Sequence, residues 1–223
     1  MNEIETIEPI VFIVESPSFD DYMEKRNEGK ALSDALGLMG VESLYFPVFT
    51  EEGFDFVLDK IVQYYNNFTG ESFIHLKIPV LHISAHGNQN CFALTNNKQI
   101  NWNLFRDKLI PVNELCKDLL FVSMSVCEGY NAVNAARTLN ASLPYLLLAG
   151  PTQKIKWGDS LLGFLVFYSN FNLLLESDGF QKMKMRLNQS IGADNMFDIA
   201  LAEDIKKKFQ QTIHSFFDKY LRK

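Results

Sequence analysis

The chain has 223 residues, of which 47% are hydrophobic and 22% charged, and its formal net charge is −6. This length and composition predict a single globular domain over residues 1–223 with room for a substantial hydrophobic core. The net negative charge argues against broad binding to nucleic acid, because such binding needs a basic face.

Cysteine usage and the distribution of apolar residues indicate the cellular compartment of the protein. The three cysteines form no CxxC pair, and no cysteine or histidine spacing is typical of a zinc site. The acidic opening Met1–Glu5 does not resemble a secretory signal, and no apolar run reaches the roughly 18 residues of a membrane span. We therefore expect a cytoplasmic protein with free thiols, no membrane association and no metal or organic cofactor.

Apolar runs and helical periodicities alternate along the chain. In chain order they predict a strand at 9–14, a helix at 26–38, a strand at 41–48, a helix at 51–66, a strand at 78–84, a hairpin at 91–100 and a helix at 102–116. The second half predicts a strand at 119–125, a helix at 131–139, a strand at 145–150, a helix at 160–175, a loop at 192–195 and a C-terminal helix at about 200–221. This alternation is typical of a three-layer α/β fold with a mostly parallel central sheet flanked by helices.

Two of the predicted strands end in a reactive side chain that is followed by glycine. The strand at 78–84 leads into Ser84-Ala85-His86-Gly87, and the strand at 119–125 leads into Ser125-Val126-Cys127-Glu128-Gly129. Ligands gather at the carboxyl ends of parallel strands, so we expect His86 and Cys127 in one site. A histidine there can take the thiol proton, and the thiolate can then attack an acyl carbon.

These two motifs resemble those of the caspase-like cysteine peptidases, in particular the CHAT-type proteins of bacteria. Histidine precedes cysteine, and the two lie 41 positions apart (127 − 86), close to the roughly 50 expected of caspases. Similarity continues in segments 14–17, 26–32 and 156–168, so it covers about residues 9–175. The cysteine motif departs from the usual caspase pattern in two places, where Val126 stands for alanine and Glu128 for arginine. Ser125 stands where arginine-cutting relatives often carry an aspartate.

The resemblance implies a caspase-like fold and a cysteine endopeptidase that cleaves a specific protein partner. His86 would be the base, Cys127 the nucleophile, and the backbone N–H groups of Gly87 and Cys127 would hold the oxyanion. That family requires no third catalytic residue. The resemblance also implies an activating partner protein for a latent enzyme and a role in bacterial antiviral defence or programmed cell death. The preferred P1 residue stays open because of the departures around the cysteine.

Three further residues are candidates for substrate binding. Trp157 and Asp159 follow the fifth predicted strand, in a loop that shapes the substrate groove of caspase-like folds. Asp159 can equally serve as the N-cap of the apolar helix that follows. Glu15 comes after the first strand at the same edge of the sheet, where it can reach the site or act as a turn residue before Pro17.

Other interpretations stay open from the residues alone. The same fold can serve as a catalytically silent interaction module, in which the acidic surface and the C-terminal helix bind a partner. A nucleotide-binding domain is disfavoured because the chain contains neither GxGxxG nor GxxxxGK[ST]. We interpret His82, which shares a strand face with His86, as a buried structural residue, and likewise Cys91 and Cys116.

Overall fold

The computed structural model describes residues 6–68 and 75–221. In these ranges the strands are β1 (Thr6–Ser16), β2 (Ser43–Pro47), β3 (His75–Ala85), β4 (Gly87–Asn88), β5 (Cys91–Ala93), β6 (Gln99–Asn101), β7 (Phe121–Ser125), β8 (Leu147–Pro151) and β9 (Phe197–Leu201). The α-helices are α1 (Phe19–Met23), α2 (Glu28–Leu38), α3 (Glu51–Phe68), α4 (Trp102–Leu115), α5 (Trp157–Ser169), α6 (Gly179–Ser190) and α7 (Ala202–Leu221). None of the helices in this part of the chain is long and apolar enough to span a bilayer.

A six-stranded sheet with the order β2-β1-β3-β7-β8-β9 organises the fold. Its first five strands are parallel, and β9 pairs antiparallel with β8. The three short strands β4, β5 and β6 form a separate antiparallel sheet that begins directly after His86. The prediction of an α/β fold with a mostly parallel central sheet between helices is confirmed.

Helices cover both faces of the central sheet because its inner strands are apolar on both sides. In β1, Phe12 and Val14 pack into a core that contains α3 and α4, whereas Val11 and Ile13 face α2, α5 and α6. Burial of such a side chain stabilises the fold by about 1.5–3 kcal/mol. This two-sided packing fixes the sheet and therefore the positions of the loops at its carboxyl edge.

Several elements differ from the sequence prediction. The stretch predicted as a helix at 131–139 is a 3-10 helix over Gly129–Ala136. The helix predicted at 160–175 begins at Trp157 and ends at Ser169, and a 3-10 turn follows. It ends there because the Asn170 side chain donates to the Val166 carbonyl at 2.8 Å. The sequence pattern does not predict α1, α6 or β9. α1 and β9 are only five residues long, which is too short for a clear periodicity, and the buried apolar side chains of α6 are only Met183 and Leu187.

Candidate active site

The sheet register brings the two predicted reactive residues to neighbouring strand ends. In the parallel ladder between β3 and β7, Ser84 lies opposite Ser125. His86 and Cys127 each follow two positions later in the sequence. Because paired strands lie about 4.8 Å apart, the two residues leave the sheet side by side at its carboxyl edge.

Close packing joins the loop after β3 to the loop after β7. A Cβ atom at Gly87 would lie 2.4 Å from Cγ1 of Val126 and 2.6 Å from the Cys91 carbonyl oxygen. Only glycine, which has no Cβ atom, allows the backbone at position 87 to lie this close to Val126 and Cys91. The backbone of residue 87 is therefore held against the residue that precedes Cys127.

Cys127 sits in a tight turn that presents it at the end of β7. The Gly129 N–H donates to the Val126 carbonyl at 2.9 Å, which closes the turn, and Glu128 has a φ of 58°. The Glu128 N–H donates to the Gln153 carbonyl at 2.9 Å, so the turn is also tied to the loop after β8. Among the described residues the backbone N–H of Cys127 has no acceptor, so this donor is available to an oxyanion.

The thiol of Cys127 is directed toward the segment that precedes α5. Its Sγ donates to the Ile155 carbonyl oxygen at 3.6 Å, and the residue is half-buried. Within the described ranges no hydrogen bond joins this thiol to His86. The same segment also reaches His86, because the Trp157 ring lies 5.3 Å from the His86 ring between centroids, edge to face. Residues 155–157 therefore border both reactive side chains.

His86 forms a hydrogen bond with a carboxylate that the sequence pattern does not indicate. Its Nε2 makes a hydrogen bond with Oδ2 of Asp21, which lies on α1. The His86 side chain is 50% exposed, whereas that of Asp21 is 5% exposed. Ser18 is the N-cap of α1, and its hydroxyl donates to the same Oδ2 at 2.6 Å. Ser18 and Asp21 have the spacing of a capping box, which marks a helix start but gives no hint of the contact with His86.

Asp21 stays ionised at neutral pH. Burial alone would raise its pKa, but hydrogen bonds from Ser18 and His86 and electrostatic attraction from His86 and Arg26 outweigh burial and lower the pKa. An ionised carboxylate only accepts hydrogen bonds, so Nε2 of His86 must carry the proton in this contact. The other ring nitrogen, Nδ1, is then the one left for a thiol.

The two candidates for substrate binding near α5 occupy different positions. Trp157 is the first residue of α5 and borders His86. Asp159 is half-buried in the first turn, and the N-cap is Lys156, so the N-cap alternative for Asp159 is wrong. An acid in the first turn still interacts favourably with the helix dipole.

Glu15 is directed away from the groove. It lies inside β1 and is 2% exposed. Its carboxylate accepts hydrogen bonds from Gly29 N–H at 2.8 Å, from Lys30 N–H at 3.3 Å and from the Tyr45 hydroxyl at 2.6 Å. Burial raises its pKa more than these donors lower it. Glu15 therefore anchors the N-terminus of α2, and the structure does not bring it together with His86 and Cys127.

The residues interpreted as structural are buried. His82 is fully buried, with Nδ1 3.1 Å from the Tyr168 hydroxyl. Cys91 and Cys116 are also buried, and burial raises the pKa of the Cys116 thiol to about 12. Ser125 is buried as well, with its hydroxyl 2.7 Å from that of Ser160, so this position faces the interior rather than a substrate. Among the described residues, no group of three or more histidine, cysteine or acidic side chains could hold a metal ion.

The comparisons with known proteins support the fold. No family description matches the sequence, and no curated protein does. A solved structure described as that of pro-sf-caspase-1 is similar over 91% of this chain and 97% of its own, with a TM-score of 0.51 and 9% sequence identity. The fold is therefore caspase-like.

Proposed function

We propose that this protein is a cysteine endopeptidase of the CHAT-type caspase-like group, which cleaves a specific protein partner. The observation that carries this proposal is the register that puts His86 and Cys127 side by side at the carboxyl edge of the sheet. The caspase-like fold and the reactive residue types at both strand ends support it. Cytoplasmic location and a role in antiviral defence or programmed cell death belong to the same proposal.

The reaction begins with proton transfer. His86 Nδ1 takes the proton of the Cys127 thiol, and the thiolate sulfur attacks the scissile carbonyl carbon. The C–N bond breaks as His86 returns this proton to the leaving amine. Water then attacks the thioester, with His86 as base, and releases the acid and the free thiol. No metal or organic cofactor takes part.

Two backbone donors support the oxyanion of the tetrahedral intermediate. They are the N–H groups of Gly87 and Cys127, which lie on the two loops that the contact between Gly87 and Val126 holds together. Removal of one such donor in an acyl-transfer enzyme costs about 10²–10³ in kcat. Trp157 and Asp159 border the proposed groove from the start of α5.

The thiol must turn before it can react. In the structure it contacts the Ile155 carbonyl at 3.6 Å, so proton transfer to His86 requires that this contact be broken. Catalytic hydrogen bonds are commonly longer or absent before substrate binds. We propose that substrate or an activating partner protein moves residues 150–157 and releases the thiol.

Covalent labelling tests the assignment of the nucleophile. A peptide acyloxymethyl ketone should modify the Cys127 peptide, as read by mass spectrometry. Modification should be lost in C127A and strongly reduced in H86A. The buried thiols provide an internal control, because Cys91 and Cys116 should stay unlabelled in the folded protein.

A second candidate function is an interaction module that uses the same fold without catalysis. The contact between the thiol and Ile155, in place of one with His86, favours it. In that case the peptide acyloxymethyl ketone should leave Cys127 unmodified even when the probe is in large excess, and H86A should behave like the wild type.

A further inference from the structure

The short helix α1 buries an acid and exposes its apolar side chains. Of its five residues only Asp21 is buried, whereas Phe19, Tyr22 and Met23 are 71%, 55% and 64% exposed. A surface helix usually does the opposite. Besides the edge-to-face contact between the rings of Tyr22 and Phe49, α1 is held by its buried acid, which contacts His86.

We propose that Asp21 is a positioning residue for His86: it fixes the ring orientation and keeps the proton on Nε2, so that Nδ1 serves Cys127. This inference rests on the proposed peptidase function. It adds a third side chain to a site whose family requires only two. The carboxylate acts through His86 and does not touch the substrate.

The surroundings of Asp21 make it a rigid partner. Oδ2 accepts hydrogen bonds from both Ser18 and His86, and Oδ1 lies 3.5 Å from Nη1 of Arg26. Arg26 also pairs with Glu24 on the solvent side. The remaining neighbour of the His86 ring is the uncharged Trp157. Asp21 is therefore the carboxylate that directly faces His86 among the described residues.

The effect on catalysis follows from proton positions. With the proton on Nε2, neutral His86 offers the Nδ1 lone pair to the thiol. After the proton moves from Sγ to Nδ1, the imidazolium lies between two anions, the thiolate and the Asp21 carboxylate. Asp21 stays ionised throughout. In serine proteases, loss of the corresponding charge by an Asp-to-Asn change leaves the geometry intact and lowers kcat by about 10⁴ through the wrong tautomer.

Modification of Cys127 by the peptide acyloxymethyl ketone as a function of pH tests the inference, because this probe occupies the proposed groove in place of substrate. The rate reports the thiolate fraction, and a shift of one pKa unit changes that fraction tenfold. We expect D21N to slow modification of Cys127 at about pH 6.5 by about tenfold or more relative to the wild type. D20N is the matched control, because Asp20 is exposed on the same helix, and it should behave like the wild type.

H86A and D21N distinguish a failure of the proposed peptidase function from a failure of the role of Asp21. If the probe modifies H86A as fast as the wild type, the dyad and with it the proposed function fail. If H86A is modified more slowly while D21N is not, the dyad stands and the role of Asp21 is refuted. Long-range ¹H–¹⁵N NMR of the His86 ring in the wild type gives a readout that does not depend on a variant's folding. A neutral ring with its proton on Nε2 supports the inference, and a proton on Nδ1 overturns it.

Discussion

Replacement of Gly87 by alanine should damage both stability and catalysis. The new methyl carbon would lie 2.4 Å from Cγ1 of Val126 and 2.6 Å from the Cys91 carbonyl oxygen. Carbon atoms in contact prefer about 3.5–4.0 Å, so the neighbours must retreat by about 1 Å. The Val126 side chain can adjust, but the Cys91 carbonyl belongs to the backbone of β5 and cannot turn away.

The cost of G87A follows from this overlap. Overpacking of this kind destabilises a fold by about 1–3 kcal/mol. For a chain of this length that corresponds to a fall in Tm of about 2–12 °C. A 1 Å displacement of the Gly87 N–H should also lower kcat/KM by about 10².

Differential scanning calorimetry and a peptide cleavage assay measure the two effects. G37A is the matched control, because Gly37 lies in α2 and a Cβ atom there would have no neighbouring atom within 4 Å. It should raise stability by about 0.5–1 kcal/mol and leave activity unchanged. G87A/V126A should recover only part of the loss, because the clash with the carbonyl remains. A G87A protein with the Tm and activity of the wild type would show that a Cβ atom at position 87 does not overlap Val126 and Cys91 as described.

Three further predictions concern buried groups. Burial raises the pKa of Glu15, so the folded protein binds the carboxyl proton more tightly than the unfolded chain does. Protonation of Glu15 therefore stabilises the fold fully below the ordinary pKa of 4.5, and this stabilisation is lost as pH rises through the raised pKa. E15Q cannot ionise, so the difference in urea unfolding free energy between E15Q and the wild type should shift in favour of E15Q as pH rises above 4.5, and a constant difference would contradict this. F164A removes a fully buried ring that contacts His82 and should cost about 3–5 kcal/mol in urea unfolding; a cost below about 1 kcal/mol would show that the core is not packed as described. Y168F leaves Nδ1 of His82 without its partner and should cost about 1–3 kcal/mol by the same measurement, whereas no loss would mean that this hydrogen bond is absent.

The sheet was predictable because its signal is local. Continuous apolar runs over residues 78–84 and 119–125 mark strands that are buried on both faces, and glycine ends each motif. The positions of His86 and Cys127 follow from these runs and from the parallel order of neighbouring strands. The close approach at Gly87 explains why the first motif ends in glycine, although the sequence does not show what the glycine meets.

The contacts that depend on distant segments were not predictable. Asp21 lies 65 positions from His86, and the only local pattern around it is a helix start. Glu15 looks like a loop residue, yet β1 continues to Ser16 and the side chain bonds to the N-terminus of α2. In both cases the side chain's partner is set by tertiary packing, which residue spacing within one segment does not encode.

If Cys127 and His86 form a peptide-cleaving pair, cleavage of a positional peptide library depends on both residues. The measurement compares the wild type, C127A and H86A side by side, at matched folded concentrations. We expect cleavage by the wild type, with a defined P1 preference, and loss of cleavage by about 10³ or more in each variant. Cleavage that persists in C127A at the wild-type rate would contradict this pairing.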